Sequence, residues 1–189
     1  IIASSACLGG VYAGDYWDNC IYEDYVNEKG DTKPRKVGED EEAILNAMRK
    51  TTKEMIRVLG DRWYGELQWN NVPEQHRLNE YVIRMHKEFG IELISTADSH
   101  YPDPDAWKDR ELYKRLAWLN AKTVPDYLKS ELPDGIEEMG MELYPKNGDQ
   151  MWQSYQTYSK ECGVSYDDEI VHDSLVKTHW IAHELVEDF

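Results

Sequence analysis

Two stretches of helical periodicity, each stopped by a glycine and each followed by a short β-forming run, restrict this chain to few folds. From Glu41 the apolar residues Ile44, Leu45, Met48, Met55, Ile56 and Leu59 fall on one face, acids fill the first turn, and Gly60 supplies a stop. The string "RWYGELQW" (62–69) then reads as a strand rich in aromatics, with Gly65 inside it to permit close backbone approach. Asn70, Asn71 and Pro73 open a second amphipathic helix whose Leu78, Tyr81, Val82, Met85 and Phe89 share a face and whose end is Gly90. "IELISTAD" (91–98) is the next strand, and the opening "IIAS" has the β-branched, small-residue character of a buried parallel strand that ends in the tight turn Gly9-Gly10. Strand, helix, strand, helix, strand at this spacing predicts an α/β fold of parallel βαβ units, either a barrel or a layered sheet.

The rest of the chain is less regular. Residues 11–40 lack a clear period, being aromatic and acidic at first and then turn-rich, and are expected to be a surface insertion, a hairpin or loop. After Tyr101 the pattern turns helical around "DAWKDRELYKRLAWLNAK", and residues 123–147, broken by Pro125, Pro133 and Pro145, read as a linker. Two helical stretches, "DQMWQSYQTYSKEC" and "DSLVKTHWIAHELVEDF", follow on either side of an acidic turn.

With 21 lysines and arginines against 37 acids the formal charge is −16, a field that repels phosphate backbones, so this stretch is not expected to grip DNA unaided. No apolar run approaches the ~20 residues that span a bilayer. A soluble, cytoplasmic protein without membrane partners is expected, and three widely spaced cysteines, Cys7, Cys20 and Cys162, fit a reducing compartment. A chain of 189 residues that starts in an apolar strand at Ile1 reads as a piece of a longer polypeptide.

Chemistry in parallel α/β folds gathers at the C-terminal ends of the strands. Cys7, Gln68 and the pair Asp98 and His100 all fall there. In an extended segment residues i and i+2 point the same way, so Asp98 and His100 could offer a carboxylate and an imidazole to one ion, or be an ordinary strand end. A Cys7 thiolate in the same cluster would favour zinc, whereas the carboxylate would also accept manganese or magnesium. Glu66 and Gln68 share a face, either as lumen residues of a barrel or as a polar pair satisfied by hydrogen bonds. His179 and His183 stand at i and i+4, but Trp180 takes the place of the glutamate in a His-Glu-x-x-His motif, so with His172 they read as helix surface. His76 and His86 read as structural.

Taken together, "IIASSACLGG", "DRWYGELQWNNVPEQHRLNEYVIRMHKEFGIELISTADSHY" and "HDSLVKTHWIAHELVE" resemble the PHP (polymerase and histidinol phosphatase) domain of bacterial DNA polymerase III alpha subunits and the segment after it. The resemblance implies that residues 1–121 are the C-terminal portion of a distorted seven-stranded (β/α) barrel with 11–40 inserted, and that 122–189 are a linker and helices leading toward the polymerase core. It also implies a divalent metal site in the complete domain, zinc or manganese and less readily magnesium, with Cys7, Asp98 and His100 among its ligands. The family's opening His-x-His pair is not in this chain. The expected activity of the whole is that of a replicative DNA polymerase, a nucleotidyltransferase, with a PHP phosphoesterase or 3′–5′ exonuclease role; this stretch alone is expected to be inactive, and no catalytic residue is assigned. DNA, replisome subunits and the rest of the polymerase chain are the expected partners. Two other readings stay open: a stand-alone PHP phosphatase, and a non-catalytic structural or interaction module.

Overall fold

Local signals set the two crossover helices. In the computed structural model, which describes residues 1–28, 30–110 and 142–185, α2 runs Glu41–Leu59. The Asp40 carboxylate accepts from the Ala43 amide at 3.0 Å, Glu41 and Glu42 occupy the positive end of the helix, and Gly60 at φ 61 stops it. Helix α3, Pro73–Phe89, starts with proline in its first turn, where no amide partner is needed, and ends in a left-handed Gly90 whose N–H donates to the His86 carbonyl.

These helices connect three parallel strands: β1 (Ala3–Ser4), β4 (Trp63–Gln68) and β5 (Glu92–Thr96). They lie in the order β1-β4-β5, with Ser4 opposite Tyr64, Glu66 opposite Ile94 and Gln68 opposite Thr96. The parallel pairing expected from the βαβ pattern is therefore present. Alternation sends Trp63, Leu67 and Leu93 into a core shared with Leu78, Val82 and Met85 of α3 and Ile44 and Met48 of α2. Gly65 sits under the tightest part of that contact, since a β-carbon there would lie 2.7 Å from both Leu93 Cδ2 and Val82 Cγ1.

Residues 11–40, expected to be a hairpin or loop, hold a hairpin and, before it, a helix. Residues Val11–Trp17 form helix α1, and Cys20–Val26 (β2) and Thr32–Glu39 (β3) form an antiparallel hairpin apart from the main sheet, with an irregularity between Ile21 and Tyr22. Tyr12, Ala13 and Tyr16 are fully buried. Tyr12 hydrogen-bonds Thr52 of α2 at 2.6 Å and receives the Trp63 indole N–H at 3.3 Å. The base of the hairpin is fastened through Glu39. Its carboxylate accepts from Lys36, Arg77 and Tyr16, each at 2.7 Å, and from Tyr81 at 3.1 Å. Burial alone would raise the Glu39 pKa, but these donors overcome it and hold the group down at about 2.

Two further helices follow. Helix α4, Gly148–Glu161, begins with a reciprocal capping box between Asn147 and Gln150, and α5, Asp168–Trp180, begins at an Asp167 cap, five residues before the helical stretch expected from Asp173; a π-helical turn, Ile181–Leu185, continues it. Trp69 at the end of β4 is packed edge-on against Tyr155 of α4 and against Tyr166, joining these helices to the sheet. Among the described residues the main sheet has three strands and does not close into a barrel. The expected boundary at 121/122, most of the helical stretch 105–122, Pro125, Pro133 and residues 186–189 lie outside the described residues.

Candidate functional site

The face of the sheet turned away from α2 and α3 carries Ser4, Tyr64, Glu66, Gln68, Ile94 and Thr96, by the same alternation that buries Leu67 and Leu93 on the other face. At its C-terminal end three strands converge on one buried carboxylate. Glu66 Oε2 accepts from the Ser4 hydroxyl at 2.5 Å, and Oε1 accepts from Gln68 Nε2 at 2.9 Å and from the Thr96 hydroxyl at 2.6 Å. Hydrogen bonds to a carboxylate from fixed donors hold it in one orientation. Of the two readings of Glu66 and Gln68, the geometry matches a polar pair satisfied by hydrogen bonds. Ser5 adds a further tie, its hydroxyl accepting the Glu66 amide at 2.9 Å.

The loops that leave these strands are backbone-strained. Ala6, after β1, has φ 58, and Asp98, after β5, has φ 48, the two non-glycine residues in the left-handed region among those described. Glycine at position 10 is obligatory for the first loop: a β-carbon there would stand 2.0 Å from the Ser5 carbonyl oxygen. The Gly10 amide in turn donates to the Cys7 carbonyl at 2.8 Å, closing the turn that presents the half-buried Cys7.

Asp98 and His100 are brought together, but not as two side chains of an extended strand. Strand β5 ends at Thr96, and the left-handed Asp98 turns the chain so that His100 Nδ1 donates to the Asp98 carbonyl at 2.8 Å, with the Asp98 carboxylate 3.9 Å away. With Nδ1 donating to that carbonyl, Nε2 is the ring nitrogen left for a ligand, the arrangement found for imidazoles that bind metals. The backbone amides of His100 and Tyr101 both donate to the Leu143 carbonyl, at 2.7 and 3.2 Å, and fix this loop against the later chain.

Among the described residues, no group of three or more histidines, cysteines, aspartates or glutamates is gathered closely enough to hold a metal ion. Cys7 does not join Asp98 and His100 in such a group. His76 is buried, its ring bonded to the Asn70 carbonyl at 2.9 Å and to the Tyr166 hydroxyl at 2.8 Å, while His86 bonds the Ile91 carbonyl at 2.7 Å; both are structural. Ser4 and Thr96 are the site residues that motif reading passes over. Their signal is positional: each ends a strand on the same side as Glu66, which becomes visible only once the register is known.

No protein-family model matches the chain. Curated proteins do match it. It is 30% identical over 151 residues to DNA polymerase III subunit alpha of Helicobacter pylori, covering 80% of this chain and 11% of that protein. It is 35% identical over 91 residues to the same subunit of Aquifex aeolicus, covering 47% of this chain and 8% of the relative. The Campylobacter jejuni subunit is 26% identical over 151 residues, again 80% of this chain and 11% of the relative. The chain thus spans about one tenth of the length of the relatives it matches.

Proposed function

Since the chain corresponds to a segment of bacterial DNA polymerase III alpha subunits, we propose that it serves replicative DNA synthesis as part of such a subunit, with its parallel sheet forming one side of a PHP barrel. The observation that carries this reading is similarity over 151 residues, 80% of the chain, rather than over one motif.

Within that reading, Asp98 and His100 are two ligands of a divalent metal site, zinc or manganese, Cys7 serves a neighbouring ion of the same site, and the remaining ligands come from other parts of the full-length subunit. Support comes from the His100 ring, whose Nδ1 proton is fixed on the Asp98 carbonyl and whose Nε2 is left to donate. A metal held there would supply Lewis acidity for phosphoester hydrolysis, including a 3′–5′ exonuclease role. The residues of this chain would contribute orientation: the Glu66 cluster fixes the strand ends, and the Leu143 carbonyl fixes the loop that carries His100.

A second reading, in which the segment is a non-catalytic support for the polymerase, is favoured by the absence of any three-donor group among the described residues. The two are separated in a full-length alpha subunit carrying this segment. Metal content and hydrolysis of a model phosphodiester are measured alongside primer extension for the parent, D98A and H100A. Loss of metal and hydrolysis with primer extension retained supports the phosphoesterase reading; unchanged metal and hydrolysis leaves the supporting role. A parent that extends no primer would overturn the polymerase assignment itself.

A further inference from the structure

Three histidines lie along one face of α5 and its π-helical continuation: His172, His179 and His183, at intervals of seven and four residues. The sequence motif alone leaves them as helix surface. The structure adds that the His179 and His183 rings stand 4.2 Å apart, centroid to centroid, with their planes inclined by 42°. Both side chains are exposed, and neither ring has a hydrogen-bond partner among the described residues. Two adjacent exposed imidazoles without a hydrogen-bond partner among the described residues can offer one nitrogen each to a single ligand.

We propose that His179 and His183 form a two-imidazole site for a divalent transition metal ion, with zinc, nickel or copper as the class of ligand. Histidines one helical turn apart can each bring one nitrogen to a common ion at ~2.0 to 2.1 Å, and these two rings already stand side by side. Neutral imidazole suits these borderline ions, whereas magnesium and calcium would demand oxygen donors that the pair does not offer.

The surroundings favour a cation. The pair sits where α5 passes into the π-helical turn, with Glu184 next to His183 in the chain. Lys177, the nearest cationic residue in sequence, is directed elsewhere, to Glu92 at 3.2 Å and over the Trp180 ring. A cleft of about 720 Å³ runs between α4 and α5, with His179 of the pair, His172, Asp149, Trp152 and Lys146 in its wall; Lys146 is paired with Glu142 at 2.8 Å, and a further ligand can approach His179 through this space. This site is separate from the loop that carries Asp98 and His100, and it does not depend on the polymerase reading.

Zinc chloride and, separately, nickel chloride titrated into the full chain provide the test, by calorimetry and by amide chemical shifts, after the three thiols have been alkylated. One equivalent should bind, with the shifted amides confined to residues 176–185. H179A and H183A should each weaken that binding by roughly tenfold or more, since loss of a ligand costs at least as much as loss of a group that merely orients one. H172A, two turns from the pair, should bind as the parent does, and all three variants should keep the parent's helical dichroism because the side chains are exposed. No binding by the parent, an equivalent retained in H179A or H183A, a loss in H172A equal to theirs, or shifts centred on residues 95–101 would each overturn the proposal.

Discussion

The hydroxyl of Thr178 lies 3.0 Å from the amide nitrogen of Ser95 and 2.9 Å from its carbonyl oxygen, so a helix side chain serves the outer edge of β5 as a neighbouring strand would. Ser174, one turn earlier, reaches the Ser95 hydroxyl at 2.6 Å, and the Trp69 indole donates to that same hydroxyl at 3.0 Å. An edge strand left open invites pairing with other chains, and α5 covers this one with specific hydrogen bonds. T178V keeps the shape and removes the hydroxyl, leaving both Ser95 backbone groups without their partner. The expected loss is about 1 to 2 kcal/mol in urea denaturation, with T178S close to the parent. A T178V midpoint equal to the parent's would mean that water replaces the hydroxyl at no cost.

Two glycines differ in what an added methyl group would strike. At Gly65 it meets the ends of the Leu93 and Val82 side chains, which shift at a cost of about 1 to 3 kcal/mol. At Gly10 it meets the Ser5 carbonyl oxygen, a backbone atom held by the turn itself. G10A should therefore lower the melting temperature more than G65A, and it should disturb the amide signals of residues 5–10. The reverse order would place the tighter constraint in the helix–sheet contact.

Much of this fold was legible because its signals are local. Pro73 and Gly90 mark the ends of α3, Gly60 ends α2, and the period-2 strands fall where the aromatic and β-branched residues cluster. Helix α1 was not legible, since seven residues with Gly14 in the middle give too short a period, and its identity comes from Tyr12 and Tyr16 reaching partners 40 and 23 residues away. The same holds for the candidate site. The Asp-x-His spacing marks Asp98 and His100 as a pair, but the left-handed backbone that makes the histidine turn back on the Asp98 carbonyl is not written in it. Glu66 is legible from its place two residues before Gln68, while Ser4 and Thr96 become visible only with the strand register.

Acid should loosen the hairpin before it unfolds the sheet. A glutamate ordinarily titrates near 4.5, and Glu39 is held at about 2 in the folded protein, with burial opposed by the Lys36, Arg77 and Tyr16 hydrogen bonds. Because the folded value is the lower one, the unfolded chain takes up the proton first. The stabilisation is complete above 4.5 and is lost as pH falls toward 2. Stability measured by urea at successive pH values should fall across that window, and E39Q should be less stable at neutral pH but flatter through it. An equal slope in E39Q would assign the acid sensitivity to other carboxylates.

Asp98 offers a way to separate strain from chemistry. Its φ of 48 lies in the left-handed region, which costs a residue with a β-carbon roughly 1 to 2 kcal/mol and a glycine almost nothing. Aspartate tolerates the conformation better than most, so D98G should gain at most about 1 kcal/mol, partly offset by the greater freedom of glycine in the unfolded chain. D98A keeps the strain and loses the carboxylate, and should be the less stable of the two by about 1 kcal/mol. Urea midpoints of parent, D98A and D98G give that order directly. If D98G proves less stable than D98A, the carboxylate's proximity to His100 is not what differs, since both lack it, and the loop must prefer a β-carbon despite the backbone angle. If D98G is the more stable and, in the full-length subunit, the metal-depleted variant, then the strained backbone at position 98 is retained for the ligand it presents rather than for the fold.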